Sequence, residues 1–403
     1  MNIRVDGQAA RVKVSPELYG IFYEEINHAG EGGLYGELVQ NRDFEANQIP
    51  EGTGWAGNLV RTPNGWLERR WFANELHGWG LIAEGGAKGS IRQEALTPMS
   101  ERNPHSMRLL AVKTGRRFGV ANGGFWGMNF QQGHTYDLVF HARTEGGEKH
   151  DLAISLESAV GHRKYATKVI KGVGGPWKAY RCSLKVSGGD PRGRLAICMN
   201  KPGTVWFDFV SLFPRKTFKK RPNGMRPDVA QTLADLKPGF LRFPGGCVVE
   251  GFMLSNRIQW KNSIGPVDRR VGTVSLWAYY NTNGIGFHEY LQLAEDLGAE
   301  AMYVINAGMS CQFRHCEVCP PEALEGYVQE TLDALEYAMG PADSTWGALR
   351  AANGRKEPFR IKYVEIGNEN SGEDYNRHYK VFHRAIKERY PEIITIADNR
   401  EMG

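Results

Sequence analysis

The sequence predicts a mixed α/β protein with an all-β sandwich inserted near its start. Three observations carry this. Beyond residue 226, short apolar runs alternate with amphipathic helical stretches, the pattern of a parallel sheet covered by helices. Between about 50 and 215, short β-type runs recur between Gly, Pro and Asn turns, with no sustained helical period. Ahead of that stretch, residues 17–26 read as one more buried strand, here ending in acids, so the α/β part is interrupted rather than merely preceded by the sandwich.

In chain order, residues 1–14 alternate apolar and polar (Ile3, Val5, Val12, Val14) and read as short strands. The strand at 17–26 gives way to a turn with Gly30, Gly32 and Gly33, and 34–42 reads as helix-like. The sandwich strands are expected at 106–112, 135–142, 151–157, 177–186, 194–199 and 204–213. Trp55, Trp66, Trp71, Trp79, Trp126, Trp177 and Trp206 fall in this part, which suits a sugar-binding surface but equally a large core. The basic run from Arg215 to Arg221 sits at the junction and reads as a solvated linker rather than a phosphate patch.

After it comes a helix at 227–236 with Pro227 at its start and Asp228 in its first turn. A short strand at 240–243 ends at Pro244-Gly245-Gly246. A helix at 287–297 is closed by Gly298, and 301–306 is an apolar strand. The stretch 321–339 carries Leu324, Val328, Leu332 and Leu335 on one stripe. A strand at 360–366, a helix at 375–390 stopped by Pro391, and a strand at 393–397 complete the series. About five strands of this kind are legible, short of the eight in a TIM-type barrel. The division expected is 1–48, 49–215 and 216–403.

Composition excludes more than it assigns. The chain has 403 residues, 24% charged and 41% hydrophobic, with net charge +5, which gives no support to a nucleic-acid role. No apolar run approaches a membrane span, and the first residues lack a hydrophobic signal region. As written the chain reads as cytoplasmic, or as secreted or periplasmic with its signal removed. Six scattered Cys are too few for a disulfide framework at this length.

The chemistry concentrates at strand ends. The run Tyr363-Val364-Glu365-Ile366-Gly367-Asn368-Glu369-Asn370 is a strand that stops at a Gly and is followed at once by an amide and a carboxyl. In parallel α/β folds the C-terminal strand tips line the site. Glu369 there suits a general acid/base, whereas a surface Glu capping the next helix is the plain alternative. Glu24 and Glu25, Arg242 and Asn306 end or follow the other strands, and Arg242 reads as a ligand group and, compatibly, as half of a buried ion pair with a strand-tip acid. Arg314 and Trp277 are further candidates for a cleft wall. Cys311, His315, Cys316 and Cys319 form a cramped group that reads weakly as a zinc site and more readily as a loop of thiols.

Several ordered blocks carry a resemblance: Gly20-Ile21-Phe22-Tyr23-Glu24, Gly33-Leu34-Tyr35-Gly36-Glu37-Leu38, Asn41-Arg42-Asp43-Phe44-Glu45, Arg242-Phe243-Pro244-Gly245-Gly246-Cys247, Trp260-Lys261-Asn262-Ser263-Ile264-Gly265-Pro266 and the 363–370 run. Together they resemble the α-L-arabinofuranosidases of glycoside hydrolase family 51, in the variety with a carbohydrate-binding-module-like sandwich near the N-terminus. The resemblance implies a (β/α)8 barrel, incomplete in this chain, and retaining release of terminal arabinofuranosyl groups from arabinan- or arabinoxylan-type polymers. Glu369 would be the acid/base, Asn368 would bind the sugar 2-hydroxyl, and Glu24, Arg242, Asn306 and Cys247 would line the sugar subsite. Some relatives have Asn where Cys247 stands. No metal or organic cofactor and no nucleic-acid or membrane partner is implied, and endo-acting β-glucan or xylan hydrolases of the same family, or a non-catalytic sugar-binding protein, are the alternatives. The family's nucleophile has no counterpart in these residues, so this piece alone is expected to hydrolyse little. An open barrel edge is expected to be closed by a longer parent chain, a complementing C-terminal segment or a second copy.

Overall fold

The structure is a computed structural model that describes residues 3, 13–69 and 74–397. The strands expected at 1–14 fall almost wholly outside the described residues, as does Trp71.

Trp79–Glu84 through Gly203–Pro214 build two antiparallel sheets packed face to face. One has the order Lys178–Lys185, Thr135–Arg143, Gly203–Pro214, Ser106–Lys113, Lys88–Glu94. The other runs Lys164–Val173, His150–Glu157, Asp190–Met199, Arg117–Asn122, Trp79–Glu84, with Met128–Phe130 paired to Asp190–Met199. Alternation along the strands sends Leu109, Phe118, Phe140, Leu152, Leu195 and Phe207 inward, and all six are fully buried. The six strands expected here are present within a few residues. The weakly alternating ones, such as Lys164–Val173 with most of its residues toward solvent, are legible only through their pairing.

The α/β part is a five-stranded parallel sheet in sequential order: Ile21–Phe22, Phe240–Phe243, Glu300–Ile305, Tyr363–Ile366, Ile394–Ala397. Helices Pro227–Asp235, Phe287–Leu297, Leu324–Met339 and Gly372–Arg389 connect the strands. Pro opens the first of these helices, and Gly298 closes Phe287–Leu297 in the left-handed conformation. At the N-terminus of Phe287–Leu297, the Glu289 carboxylate accepts from Gly286 N–H at 2.9 Å and pairs with buried Arg270 at 2.8 Å. A core of Phe243, Tyr303, Phe287, Val364, Ile366 and Phe382 lies between sheet and helices. Burial fades toward both sheet edges: Phe22 is 54% and Ile394 46% exposed, whereas Val364 and Ile366 are fully buried.

Four expectations change. The strand at 17–26 shortens to two residues: a turn closed by Leu18 N–H on Ser15 O at 3.1 Å precedes it, and buried Tyr23, Glu24 and Glu25 follow it. The helix expected at 34–42 is absent. That segment spends its backbone on distant partners instead: Gly36 N–H donates to Gly224 O, Leu38 N–H to Leu212 O, and Val210 N–H to Arg42 O. A buried Arg42–Glu37 pair at 3.3 Å fixes it there. The basic run is not simply solvated: Phe218 is buried, Arg215 forks onto Asp137, and Arg221 onto Asp296.

Residues 54–69, expected in the sandwich, form a separate three-stranded sheet: Gly54–Ala56, Leu59–Arg61, Leu67–Arg69. Its Val60 packs with Val248, Phe252, Met253, Leu276 and Cys311 at the strand tips of the parallel sheet.

Candidate active site

The site is built where the parallel strands end. After Tyr363–Ile366 the chain reverses through Gly367 (φ +84°) and Glu369 (φ +50°). A side chain at Gly367 would meet Asn370 Oδ1 at 2.5 Å, so the reversal needs glycine for space as well as for φ. The left-handed backbone at Glu369 is uncommon for a residue with a Cβ, and such strain collects at functional sites.

Arg242 projects from the second strand and Glu365 from the fourth. Arg242 Nε donates to Glu365 Oε2 at 2.6 Å and Nη2 to Glu365 Oε1, a bidentate fork. Nη2 also donates to Asn368 Oδ1 at 3.0 Å, and the guanidinium lies over the Phe22 ring. The ion-pair reading of Arg242 is therefore realised, and the same guanidinium orients Asn368. Asn368 Nδ2 in turn donates to Glu250 Oε2 at 3.0 Å, and Asn370 Nδ2 to Glu250 Oε1 at 2.8 Å. Burial pushes Glu250 up to about 9, with Cys311 and Glu369 adding to the shift.

Glu24 sits on the opposite wall. Its Oε1 accepts from Gly246 N–H at 2.9 Å and Val248 N–H at 3.0 Å, and its Oε2 from Trp277 Nε1 at 3.0 Å. A Cβ at Gly246 would lie 2.6 Å from Asn368 Oδ1, which brings the two walls into contact only because the residue is glycine. Arg314 lies over the Trp277 ring and pairs with Glu68 of the three-stranded sheet, so both cleft-wall candidates belong to the site.

Glu369 is exposed, at the rim of this cup. Its Oε2 accepts from Cys247 Sγ at 3.6 Å, and Cys247 Sγ is 3.9 Å from Asn368 Nδ2. The acid, the amide and the arginine thus form one chain of contacts: Glu369, Cys247, Asn368, Arg242. Glu25 lies deeper, accepting from Tyr279 and Tyr23 hydroxyls, and burial together with Glu31 raises it to about 8.

Asn306 stands apart from the other candidates. Its Oδ1 accepts from Gly308 and Met309 N–H, and its Nδ2 donates to Val249 and Met309 carbonyls. Both ends of the amide are spent on holding the turn, so it shapes the cup rather than offering a free group to it.

The thiol group of the 311–319 loop is not assembled. Cys311 packs in the small cluster around Val248, Cys319 packs in the main α/β core, Cys316 is exposed, and His315 pairs with Glu317. Among the described residues, the one grouping of three or more His, Cys, Asp or Glu ligand atoms is Cys247, Glu250 and Cys311. Glu250 and Glu365 were not singled out in sequence. A carboxylate inside an apolar strand, two strands from an arginine, was the available signal for Glu365.

The α-L-arabinofuranosidase 1 domain family matches residues 232–402. α-L-Arabinofuranosidase 1 of Arabidopsis thaliana is 38% identical over 99% of this chain and 56% of its own length. An extracellular exo-α-L-arabinofuranosidase of Streptomyces chartreusis is 34% identical over 99% of this chain and 46% of its own length. An arabinose-bound family 51 α-L-arabinofuranosidase structure superposes with TM-score 0.80 at 33% identity, over 95% of this chain and 58% of that one. These likenesses set the chain among the relatives of glycoside hydrolases. More particularly, it is a relative of the family 51 α-L-arabinofuranosidases, and it spans about half the length of the curated relatives it matches.

Proposed function

We propose that this chain carries the acid/base half of a retaining α-L-arabinofuranosidase acting on arabinan- or arabinoxylan-type chains and their oligosaccharides. The observation that carries the reading is the position of Glu369: an exposed rim carboxyl 3.6 Å from Cys247 Sγ, joined through it to the Asn368–Arg242–Glu365 network. A rim carboxyl is accessible to a glycosidic oxygen, and the fixed amide and guanidinium beside it suit a polyhydroxylated ring.

In this reading Glu369 protonates the departing oxygen and later activates water, and Asn368 holds a ring hydroxyl through its amide. Glu24, with both oxygens bonded to N–H groups, positions the ring rather than attacking it. The attacking carboxylate, about 5–5.5 Å from the acid in retaining enzymes, comes from another stretch of the protein. Carboxyl groups suffice for both steps, so the reaction calls for no metal or organic cofactor.

The five sequential parallel strands are read as an arc of a (β/α)8 barrel. The sandwich at 79–214, with the small sheet at 54–69 ahead of it, is inserted after the first strand, and 216–403 supplies strands two to five. Further strands, from the same protein, a complementing segment or a second copy, would pair along the exposed edge at Ile394–Ala397.

The test is turnover of an aryl α-L-arabinofuranoside. The 403-residue chain alone is expected to give little, and a version completed with the rest of the barrel is expected to be active and to lose that activity in Glu369→Gln. Full turnover by the 403-residue chain, or an unimpaired Glu369→Gln, would sink the proposal.

A further inference from the structure

Cys247 and Glu250 are the ends of the one-turn helix Cys247–Glu250, three residues apart on one face. Cys311 comes from the turn beyond the third parallel strand, and its N–H donates to Gly251 O at 3.0 Å, which ties it to the end of that helix. The two sulfurs and a Glu250 oxygen all lie within 4.8 Å of one another. Around a tetrahedral zinc ion, bond lengths of about 2.3 Å to sulfur and 2.0–2.2 Å to oxygen correspond to ligand separations of about 3.5–3.8 Å, within reach by small side-chain rotations.

From this arrangement we infer that Cys247, Cys311 and Glu250 form a site for a thiophilic divalent cation of the zinc and cadmium class, set in the wall of the sugar cup. Two thiolates and one carboxylate favour a borderline-soft ion over magnesium or calcium. The carboxylate is already oriented by Asn368 and Asn370 Nδ2, the outer-shell support that metal ligands generally have. Val248, Phe252, Met253 and Leu276 close the apolar side. Cys247 is the partly exposed ligand, so the fourth coordination position opens toward Glu369. Binding displaces the ligand protons, and the ion takes the space beside Glu369 and attracts its carboxylate. That consequence, loss of the general acid, rests on the glycosidase reading. The binding itself does not.

The experiment titrates the reduced, folded chain with Co²⁺ and with Zn²⁺. Thiolate-to-cobalt charge-transfer absorption and one equivalent of tightly held metal per chain are expected. Cys311→Ala, with folding checked by circular dichroism, removes the charge-transfer band, and Cys247→Ala at the partly exposed position does the same. Glu250→Gln lowers affinity by about tenfold or more, whereas Cys316→Ser and Cys319→Ser bind as the parent does. Absence of the band, persistence of full binding in both Cys311→Ala and Cys247→Ala, or its loss in Cys316→Ser would overturn the site. Turnover of the completed enzyme is measured separately with Zn²⁺ present. Stoichiometric binding with unchanged turnover would leave the site standing and count against Glu369 as the acid.

Discussion

The sandwich and the parallel sheet handle their surfaces in opposite ways. In the sandwich, two antiparallel sheets seal a common interior of Phe118, Phe140, Leu152 and Phe207, and polar residues alternate outward. In the parallel part the middle strands are sealed, the edge strands keep Phe22 and Ile394 toward solvent, and the charged residues gather at one end. The contrast teaches that regular alternation produces a core and little chemistry. The chemistry appears where strands stop at Gly245-Gly246 and Gly367, because short irregular turns let Glu24, Arg242, Asn368 and Glu369 converge.

The strongest way to break this comparison is to show that the cup is dispensable. Glu369→Gln is expected to cut turnover of an aryl arabinofuranoside in the completed enzyme by about 10²–10⁴-fold, with an unchanged unfolding curve. An equal loss of stability would make Glu369 a structural residue.

Next in size is Phe140→Ala in the sandwich interior. It should cost about 3–5 kcal/mol in denaturant unfolding, monitored by tryptophan fluorescence. A cost near zero would mean that the two sheets are not packed as described.

Glu365→Ala should cost about 3 kcal/mol, because it strands a largely buried guanidinium. It should also weaken binding of arabinose-containing ligands, since Asn368 loses its oriented partner. Stability loss without a binding change would separate the ion pair from the cup.

A smaller effect sharpens the role of the seam near the sandwich. Burial raises Asp43 to about 7, with Glu45 adding to it, and raises Glu25 to about 8. Both groups lie near 4 when unfolded, so between pH 4 and these values the folded state holds protons that the unfolded chain releases. Stability therefore falls as pH rises through that window. Unfolding midpoints should decline from pH 5.5 to 8.5, and Asp43→Asn with Glu25→Gln should flatten the slope. A rise over the same interval would contradict the assignment.

The smallest effect belongs to Arg215→Ala, which removes an exposed fork onto Asp137 and should cost about 1 kcal/mol or less.

Much of the fold was readable from residues alone. The strands at 106–112, 135–142 and 204–213 declare themselves by alternation, and the helices at 227–236 and 287–297 by Pro227 and Gly298. The 34–42 segment misled because its local composition is helix-compatible, whereas its hydrogen bonds go to residues 212 and 224. The loop cysteines misled in the same way: nearness in sequence suggested one cluster, yet Cys311 and Cys319 are buried in different cores.

The sequence by itself determined the two textures, the places of the later parallel strands along the chain and the Gly-Asn-Glu turn that carries Glu369, since each depends on neighbours within a few residues. Only the tertiary structure decided that Arg242 forks onto Glu365, that Trp277 holds Glu24, and that Cys311 meets Cys247 rather than the thiols of its own loop. Those pairs lie far apart along the chain, and contacts of that range are fixed by the packing of whole strands and helices, which no local pattern of residues encodes.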